Sequence, residues 1–561
     1  MRYQQETRGQ NFFAVDPNLK TLLARRAPDL LARNGERLHA FGAWVGSDVD
    51  CEAEYTDRFA PPVLEAHDRF GRLTNRVRHN PLYAEIHRDV YARGIVGLNF
   101  GPKAEPFLMS FLMGYLLSQA DISIHCPATL TGAVAYILGK LPEKAAAKHY
   151  LEGLLRLDGK ALTGGTWATE LDGGSDLAAT ATVAKRDGEH FRLTGFKWFA
   201  SNPDSDVALA TARPEEAPGG TEGLGLYLVP KALADGSPNR YRIRRLKTKL
   251  GTRGLASGEI ELEGAFAFEV SPPPRGLRLM LEALDYSRVH NAFAAAAVGR
   301  RAFLEAIAYA SHRQAFGKIL LAFPMVQSVL LDLQMNAEAS LTLAFEAAVA
   351  FDESEKNAKR LPWRRLTTAL AKYWTAEKAI RAASSAIEVL GGVGYTEDYV
   401  TPRLLRDAQV LTVWEGTANI QALEVLRLVA GNGEGFGAFM ARIEGVLGGV
   451  KSPLEEECAK PLRSALALCA DGVRQATKSP EVASRIARRL MDRMAVLLAA
   501  CLLLEEAAAD LAEKKDGRKA CLAKRFIRRT LDFDAASQLL DTEPLLQRDF
   551  ERVVGYEEMP A

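Results

Sequence analysis

Between about Lys160 and Pro272 the hydrophobic period of this chain changes from that of helices to that of strands, and it changes back after three successive prolines. The segments TATVAKRDGEHFRLTGFKWFA, DVALATA, GLGLYLVP, YRIRRLKTKLG and SGEIELEGAFAFEV alternate apolar and polar residues, the spacing of half-buried strands. Asp187-Gly188 between two such runs predicts a hairpin. Pro272-Pro273-Pro274 lacks three N–H donors in a row and ends the ladder. Pro17 to Asp158 reads as helices, and so does Leu277 to Val429, with interruptions at Gly317, Pro362 and Gly391-Gly392-Val393-Gly394. Beyond a glycine-rich break at 430–437 the remaining residues are helical again. The expected fold is mainly α with an inserted β domain. It comprises an N-terminal helical domain (1–158), a middle β domain (159–274), a helical bundle (275–435) and an extra C-terminal helical domain (436–561).

A chain of 561 residues exceeds one core, so several domains are expected. Its 71 Lys and Arg against 70 Asp and Glu give no global field to draw it onto nucleic acid or an anionic membrane. Six scattered cysteines show no metal-ligand spacing, so no metal site is assigned, and reduced thiols in the cytoplasm are expected. The apolar runs near 107–120 and 494–504 fall short of the ~20 residues of a spanning helix and predict buried helices, with no membrane span.

Chemistry concentrates in a few segments. Thr166-Trp167-Ala168-Thr169-Glu170-Leu171-Asp172-Gly173-Gly174-Ser175-Asp176 pairs glycines, whose backbone N–H groups approach an anion closely, with hydroxyl donors. Gly195-Phe196-Lys197-Trp198-Phe199-Ala200-Ser201 puts aromatics on a strand. Arg313-Gln314-Ala315-Phe316-Gly317-Lys318 carries an arginine suited to bidentate phosphate contact. Glu388-Val389-Leu390-Gly391-Gly392-Val393-Gly394-Tyr395 precedes Val413-Trp414-Glu415-Gly416-Thr417-Ala418-Asn419-Ile420. A glutamate between a tryptophan and a glycine, in an apolar cleft, would have its pKa raised toward that of a useful base. The competing reading is that Glu415 caps the following helix.

Taken in order, these segments resemble the acyl-CoA dehydrogenase superfamily. Finer features resemble its AidB-type, alkylation-response branch: Ser123-Ile124-His125-Cys126-Pro127, Gly173-Gly174-Ser175-Asp176, Pro402-Arg403-Leu404-Leu405-Arg406 and the extra C-terminal domain. The resemblance implies an FAD-dependent dehydrogenase of acyl-CoA thioesters with Glu415 as the base that removes the α-proton. It places Thr169, Ser175, Trp198, Ser201, Gly391, Gly392, Thr417 and Asn419 at the flavin, with Arg313 and Phe316 reaching it from a neighbouring subunit. Ser175, Asp285 and Arg288 fall on the substrate side. A homo-oligomer, a homotetramer by resemblance, and an electron acceptor such as an electron-transfer flavoprotein follow.

Two positions depart from the family pattern. Ala200 stands where relatives often have a threonine near the flavin N5, leaving Ser201 as the nearest hydroxyl, and Glu388 replaces a common glutamine. These departures keep two alternatives open: a DNA-associated flavoprotein with weak or vestigial turnover, and a flavin monooxygenase or oxidase. The AidB likeness nominates Arg518, Arg525 and Arg529 as a stripe for duplex DNA on a helix after Gly517. Residues 441–561 nevertheless hold 20 basic and 20 acidic side chains, and this balance argues against DNA binding.

Overall fold

The computed structural model describes residues 7–431, 433–451, 453–514, 516–531 and 550–556. The chain begins with α1 (Pro17–Arg26), α2 (Pro28–Trp44) and α3 (Asp50–Arg58), then a hairpin of β1 (Val63–His67) and β2 (Leu73–Arg78). Helices α4 (Pro81–Ala92), α5 (Phe107–Ser118), α6 (Ile122–Gly139) and α7 (Ala145–Leu154) follow. Strands β3 (Gly164–Trp167), β4 (Val183–Asp187), β5 (His190–Ser201), β6 (Val207–Pro214), β7 (Gly225–Pro230), β8 (Tyr241–Leu246) and β9 (Ser257–Ser271) come next. After α8 (Arg275–His312), the two-residue strands β10 (Gln314–Ala315) and β11 (Lys318–Ile319) form a small hairpin. The described residues that follow form α9 (Pro324–Lys356), α10 (Leu361–Leu390), α11 (Thr401–Leu411), α12 (Ala418–Leu426), α13 (Glu434–Gly448), α14 (Pro453–Lys478), α15 (Pro480–Lys514), α16 (Arg518–Thr530) and α17 (Phe550–Gly555).

Two compact units are built from these elements, residues 36–290 and residues 1–35 with 291–561. In the first unit, β6, β4, β5, β9 and β7 follow one another around a ring that β7 closes by pairing back to β6. β3 adds to β6 in parallel and β8 to β9 antiparallel. The Asp187-Gly188 hairpin joins β4 to β5 as expected, with Gly188 at φ +65°. Trp167, Phe191, Leu193, Tyr227, Ile260 and Leu262 fill the interior. Helices α5 and α6 are buried almost all round, which their lack of a polar face requires. By length and composition α6 is apolar enough to cross a membrane, yet 89% of it lies inside the protein, which makes it a core helix.

The helical expectation for the first 158 residues needs one correction. VLEAHDRFGRLTNRVR alternates, and Asp68 accepts from the N–H groups of Phe70 and Arg72 to turn the chain, so β1 and β2 pair there. A second feature of the barrel changes the phase of β5. Lys197 pairs with Ile260 but Ala200 pairs with Gly258, three steps against two, which is a bulge. Lys197 and Ala200 therefore both face the interior, and Phe199 is exposed.

In the second unit a buried ion cluster joins segments far apart in sequence. The Glu338 carboxylate on α9 accepts from Arg518 and, at 2.5 Å, from Lys519, both on α16. Lys519 also donates to Glu506 on α15 at 2.7 Å and to Asn18 on α1 at 2.6 Å. Arg518 donates to the Val553 carbonyl on α17 at 2.8 Å and lies over the Tyr556 ring. Burial alone would raise the Glu338 carboxyl, but the two cations hold it far below the ordinary glutamate range. Nearby, Arg525 donates to Asp332 at 2.9 Å and is 2% exposed. The open arginine stripe is thus corrected. Arg518 and Arg525 are consumed inside the chain, and of the three only Arg529 is exposed. The amphipathic pattern was sound, but acids on other helices turned its charged side inward.

Removing one member of such a cluster leaves uncompensated charge, so Glu338→Gln is expected to cost about 3–5 kcal/mol in urea unfolding. Because the folded carboxyl sits below its unfolded value, this contribution is complete above the ordinary glutamate pKa and is lost as pH falls toward the folded one. The stability gap between parent and variant should stay constant from neutral pH down to about 5 and narrow below it.

Candidate functional site

In the unit of residues 36–290, the loop after β3 is tied to β5 at two levels. The Trp198 N–H donates to the Thr169 carbonyl at 2.9 Å, which sets the threonine beside the indole. One residue along each segment, Lys197 and Glu170 form an ion pair of 2.6 Å, 0% and 6% exposed. Glu170 also accepts from the Ala181 N–H at 2.7 Å and the Thr182 hydroxyl at 2.5 Å, and Lys197 donates to the Thr211 carbonyl at 2.7 Å. Burial opposes the Glu170 charge, and the Lys197 ammonium overrides it and holds the carboxyl below its usual range. Beyond this anchor, Glu170 and Gly173 bond each other's backbones in a tight turn that carries Gly174 and Ser175 into solvent. The half-buried Trp198 has the Lys247 ammonium 3.1 Å from its ring centroid, an approach favoured by the π-face.

The bulge decides the fate of the departure at residue 200. Ala200 is fully buried in the barrel core, where a hydroxyl would need a partner. Ser201 is half-buried and lies 3.3 Å from the Ser257 hydroxyl. On α8, Arg288 donates to Asp285 at 2.8 Å, and both are 9% exposed. Ser287 spends its hydroxyl on the Ala283 carbonyl.

In the other unit, Glu415 sits in the turn between α11 and α12 at φ +58°, followed by Gly416 at φ +96°. Three side chains pin this turn. The Trp414 indole donates to Asn291, which in turn donates to the Leu411 carbonyl at 3.2 Å. Gln421 donates to the carbonyls of Glu415 at 3.1 Å and Gly416 at 3.2 Å. Lys372 on α10, 1% exposed, donates to the Gly416 carbonyl at 2.5 Å. A Cβ on Gly416 would stand 2.8 Å from Gln421 Nε2, so glycine is required by contact as well as by φ. The N-cap of α12 is Thr417, two residues beyond Glu415. Among the described residues the Thr417 hydroxyl makes no capping bond to its own helix.

The remaining candidates in this unit face outward. Gly391, at φ +69°, and Gly392 have open space where a Cβ would stand, among the described residues, and Asn419 and Glu388 are exposed. Arg313 is exposed, and Phe316 at the tip of the β10–β11 hairpin is 95% exposed. Within this unit the open glycine backbone at 391–392 and the exposed Thr417 hydroxyl, Asn419 amide and Arg313 guanidinium are the kinds of donor that suit a phosphate-bearing group.

Comparison with known proteins decides the family. Residues 274–430 match the C-terminal domain of acyl-CoA dehydrogenases, residues 165–265 their middle domain, and residues 3–158 the N-terminal domain of the adaptive response protein AidB. The chain belongs to the acyl-CoA dehydrogenase family. Within it, the chain is 31% identical to acyl-CoA dehydrogenase family member 11 of Caenorhabditis elegans, over 81% of this chain and 76% of that one. It is 33% identical to the putative acyl-CoA dehydrogenase AidB of Escherichia coli, over 70% and 73% of the two chains. A crystal structure of C. elegans ACDH-11 in complex with C11-CoA superposes with a TM-score of 0.88 at 27% identity, covering 98% and 97% of the two chains. Membership of this family, with an N-terminal domain of AidB type, makes the protein an FAD-dependent acyl-CoA dehydrogenase-type oxidoreductase.

Sequence reasoning missed Asn291, Lys372, Gln421 and the partnership of Glu170 with Lys197. Lys372 carried a weak signal, a charge on the apolar face of α10 between the buried Ala369 and Ala376. Lys197→Met leaves Glu170 as a buried, uncompensated carboxylate. It is expected to cost about 3–5 kcal/mol in urea unfolding, and a flavin-fluorescence assay should show faster FAD release.

Proposed function

We propose that this acyl-CoA dehydrogenase oxidises an acyl-CoA thioester at its α and β carbons, with Glu415 taking the α-proton. The observation that carries this reading is the pinned left-handed turn, which fixes one carboxylate between an anchored tryptophan and a glycine. A thioester α-proton is too weakly acidic for a carboxylate in water. Abstraction requires a site that stabilises the charge developing on the thioester oxygen. The Glu415 backbone N–H is the donor this chain supplies for that oxygen. FAD, when bound, supplies the acceptor for the β-hydride. The family likeness assigns Thr169, Ser175, Trp198, Ser201, Gly391, Gly392, Thr417 and Asn419 to the flavin, and Ser175, Asp285 and Arg288 to the substrate side. The C11-CoA bound by the C. elegans relative supports a fatty acyl chain as substrate.

The acyl-CoA dehydrogenase works as a homo-oligomer, a homotetramer by family likeness, and passes its electrons to an acceptor such as an electron-transfer flavoprotein. A phenylalanine as exposed as Phe316, beside an exposed arginine, is the kind of surface a neighbouring subunit covers. Arg313→Ala should therefore fold normally but release FAD more readily in equilibrium dialysis. Unchanged affinity would remove Arg313 from the cofactor site.

The test of the reaction is anaerobic bleaching of the flavin by acyl-CoAs of graded length, in the parent and in Glu415→Gln. The amide keeps the shape but takes no proton. Bleaching by the best substrate should slow by at least ~10²- to 10⁴-fold with FAD and thermal stability retained. Equal rates would exclude Glu415 as the base.

A further inference from the structure

We infer that Lys372 is a positioning residue for the reaction, one that holds the base in its working conformation from the opposite side of the loop. The inference rests on the assignment of Glu415 as the base and goes beyond it to a residue that no motif marks.

A glutamate at φ +58° is in a region disfavoured for an L-residue, and it stays there only where its surroundings require it. Here the requirement acts through carbonyl oxygens. The carbonyls of Glu415 and Gly416 both point at side-chain donors, Gln421 for the first and Gln421 with Lys372 for the second. Only one of these donors is charged. At 2.5 Å the Lys372 ammonium makes a shorter bond to the Gly416 carbonyl than Gln421 does at 3.2 Å, and a charge-assisted bond is about twice as strong as a neutral one. If that bond is removed, the 415–416 segment is freer to relax toward ordinary right-handed or extended backbone, which carries the carboxylate away from its aim.

The position of Lys372 argues against packing as its purpose. Thr368, Ala369, Thr375 and Ala376, one turn away on either side, are all buried, so the lysine lies on the inward face of α10. Burying an ammonium is costly, and methionine or leucine would fill the same space without that cost. Among what its Nζ reaches is the Gly416 carbonyl, one residue beyond Glu415.

Alignment of a reacting group is sensitive to displacements on the order of 1 Å, which reach ~10²-fold in rate. Lys372→Met, purified with FAD, should lower the limiting rate of flavin reduction by the best acyl-CoA by about 10²-fold, with the half-saturating concentration within about twofold of the parent. Lys372→Arg, which restores a charged donor, should recover most of that rate. A purely structural lysine would instead give a variant of lower thermal stability whose folded fraction reduces its flavin at the parental rate, and that result would overturn the inference. Should the methionine variant not fold, Lys372→Gln keeps a buried polar group but falls short of the carbonyl and carries the same test with the same two outcomes. Glu415→Gln measured alongside separates the two levels. If it bleaches like the parent, the base assignment fails on its own, whereas a defect in Glu415→Gln with a parental rate in the Lys372 variants removes only Lys372.

Discussion

The carboxylate of Glu338 is the point on which the larger helical unit depends. Two cations of α16 converge on it, and one of them reaches on to α15 and α1. A buried charge of this kind is expensive unless every partner is present, so the elements that supply partners order together or not at all. The N-terminal segment and the last helices are for this reason parts of the same compact unit as α9 and α10. A second pair of contacts, Arg26 and Arg442 on the buried Glu346, extends the same logic to α13.

Helix α10, packed into that unit, is what gives Glu415, the proposed base, its setting. Its inward face presents Lys372 to the turn between α11 and α12, while Asn291 on α8 fixes Trp414, which precedes Glu415. Strain at Glu415 is thus stored locally and supported by buried polar bonds from three helices. The barrel uses the same device in another form. There the Glu170–Lys197 pair joins the loop of Thr169 to the strand of Trp198, so the residues assigned to the flavin are anchored by a buried charge pair beneath them.

Much of this was legible in the chain because it rests on local rules. Asp187-Gly188 marks its hairpin, three prolines end the barrel, and the glycines around Gly391 and Gly416 stand where positive φ is needed. The family motifs nominate Glu415 and the residues proposed for the flavin. What was not legible depends on partners distant in sequence. The β5 bulge changes the facing of the residues beyond it, so the burial of Ala200 in the barrel core follows only once the register with β9 is known. Arg518 and Arg525 form a correct amphipathic stripe, but only Glu338 and Asp332, nearly two hundred residues earlier, reveal that the stripe turns inward. Lys372 resembles a surface lysine until the turn at Gly416 is seen to end on its ammonium.

The proposed reaction turns on one chemical event, transfer of a proton from the acyl α-carbon to Glu415. Exchange into heavy water reads that event without requiring the electrons to move on. The FAD-loaded protein is incubated anaerobically with its best acyl-CoA in deuterium oxide, and deuterium at the α-carbon is followed by mass spectrometry. The account predicts steady incorporation by the parent and none above the enzyme-free background by Glu415→Gln. Equal incorporation by the two proteins would contradict it.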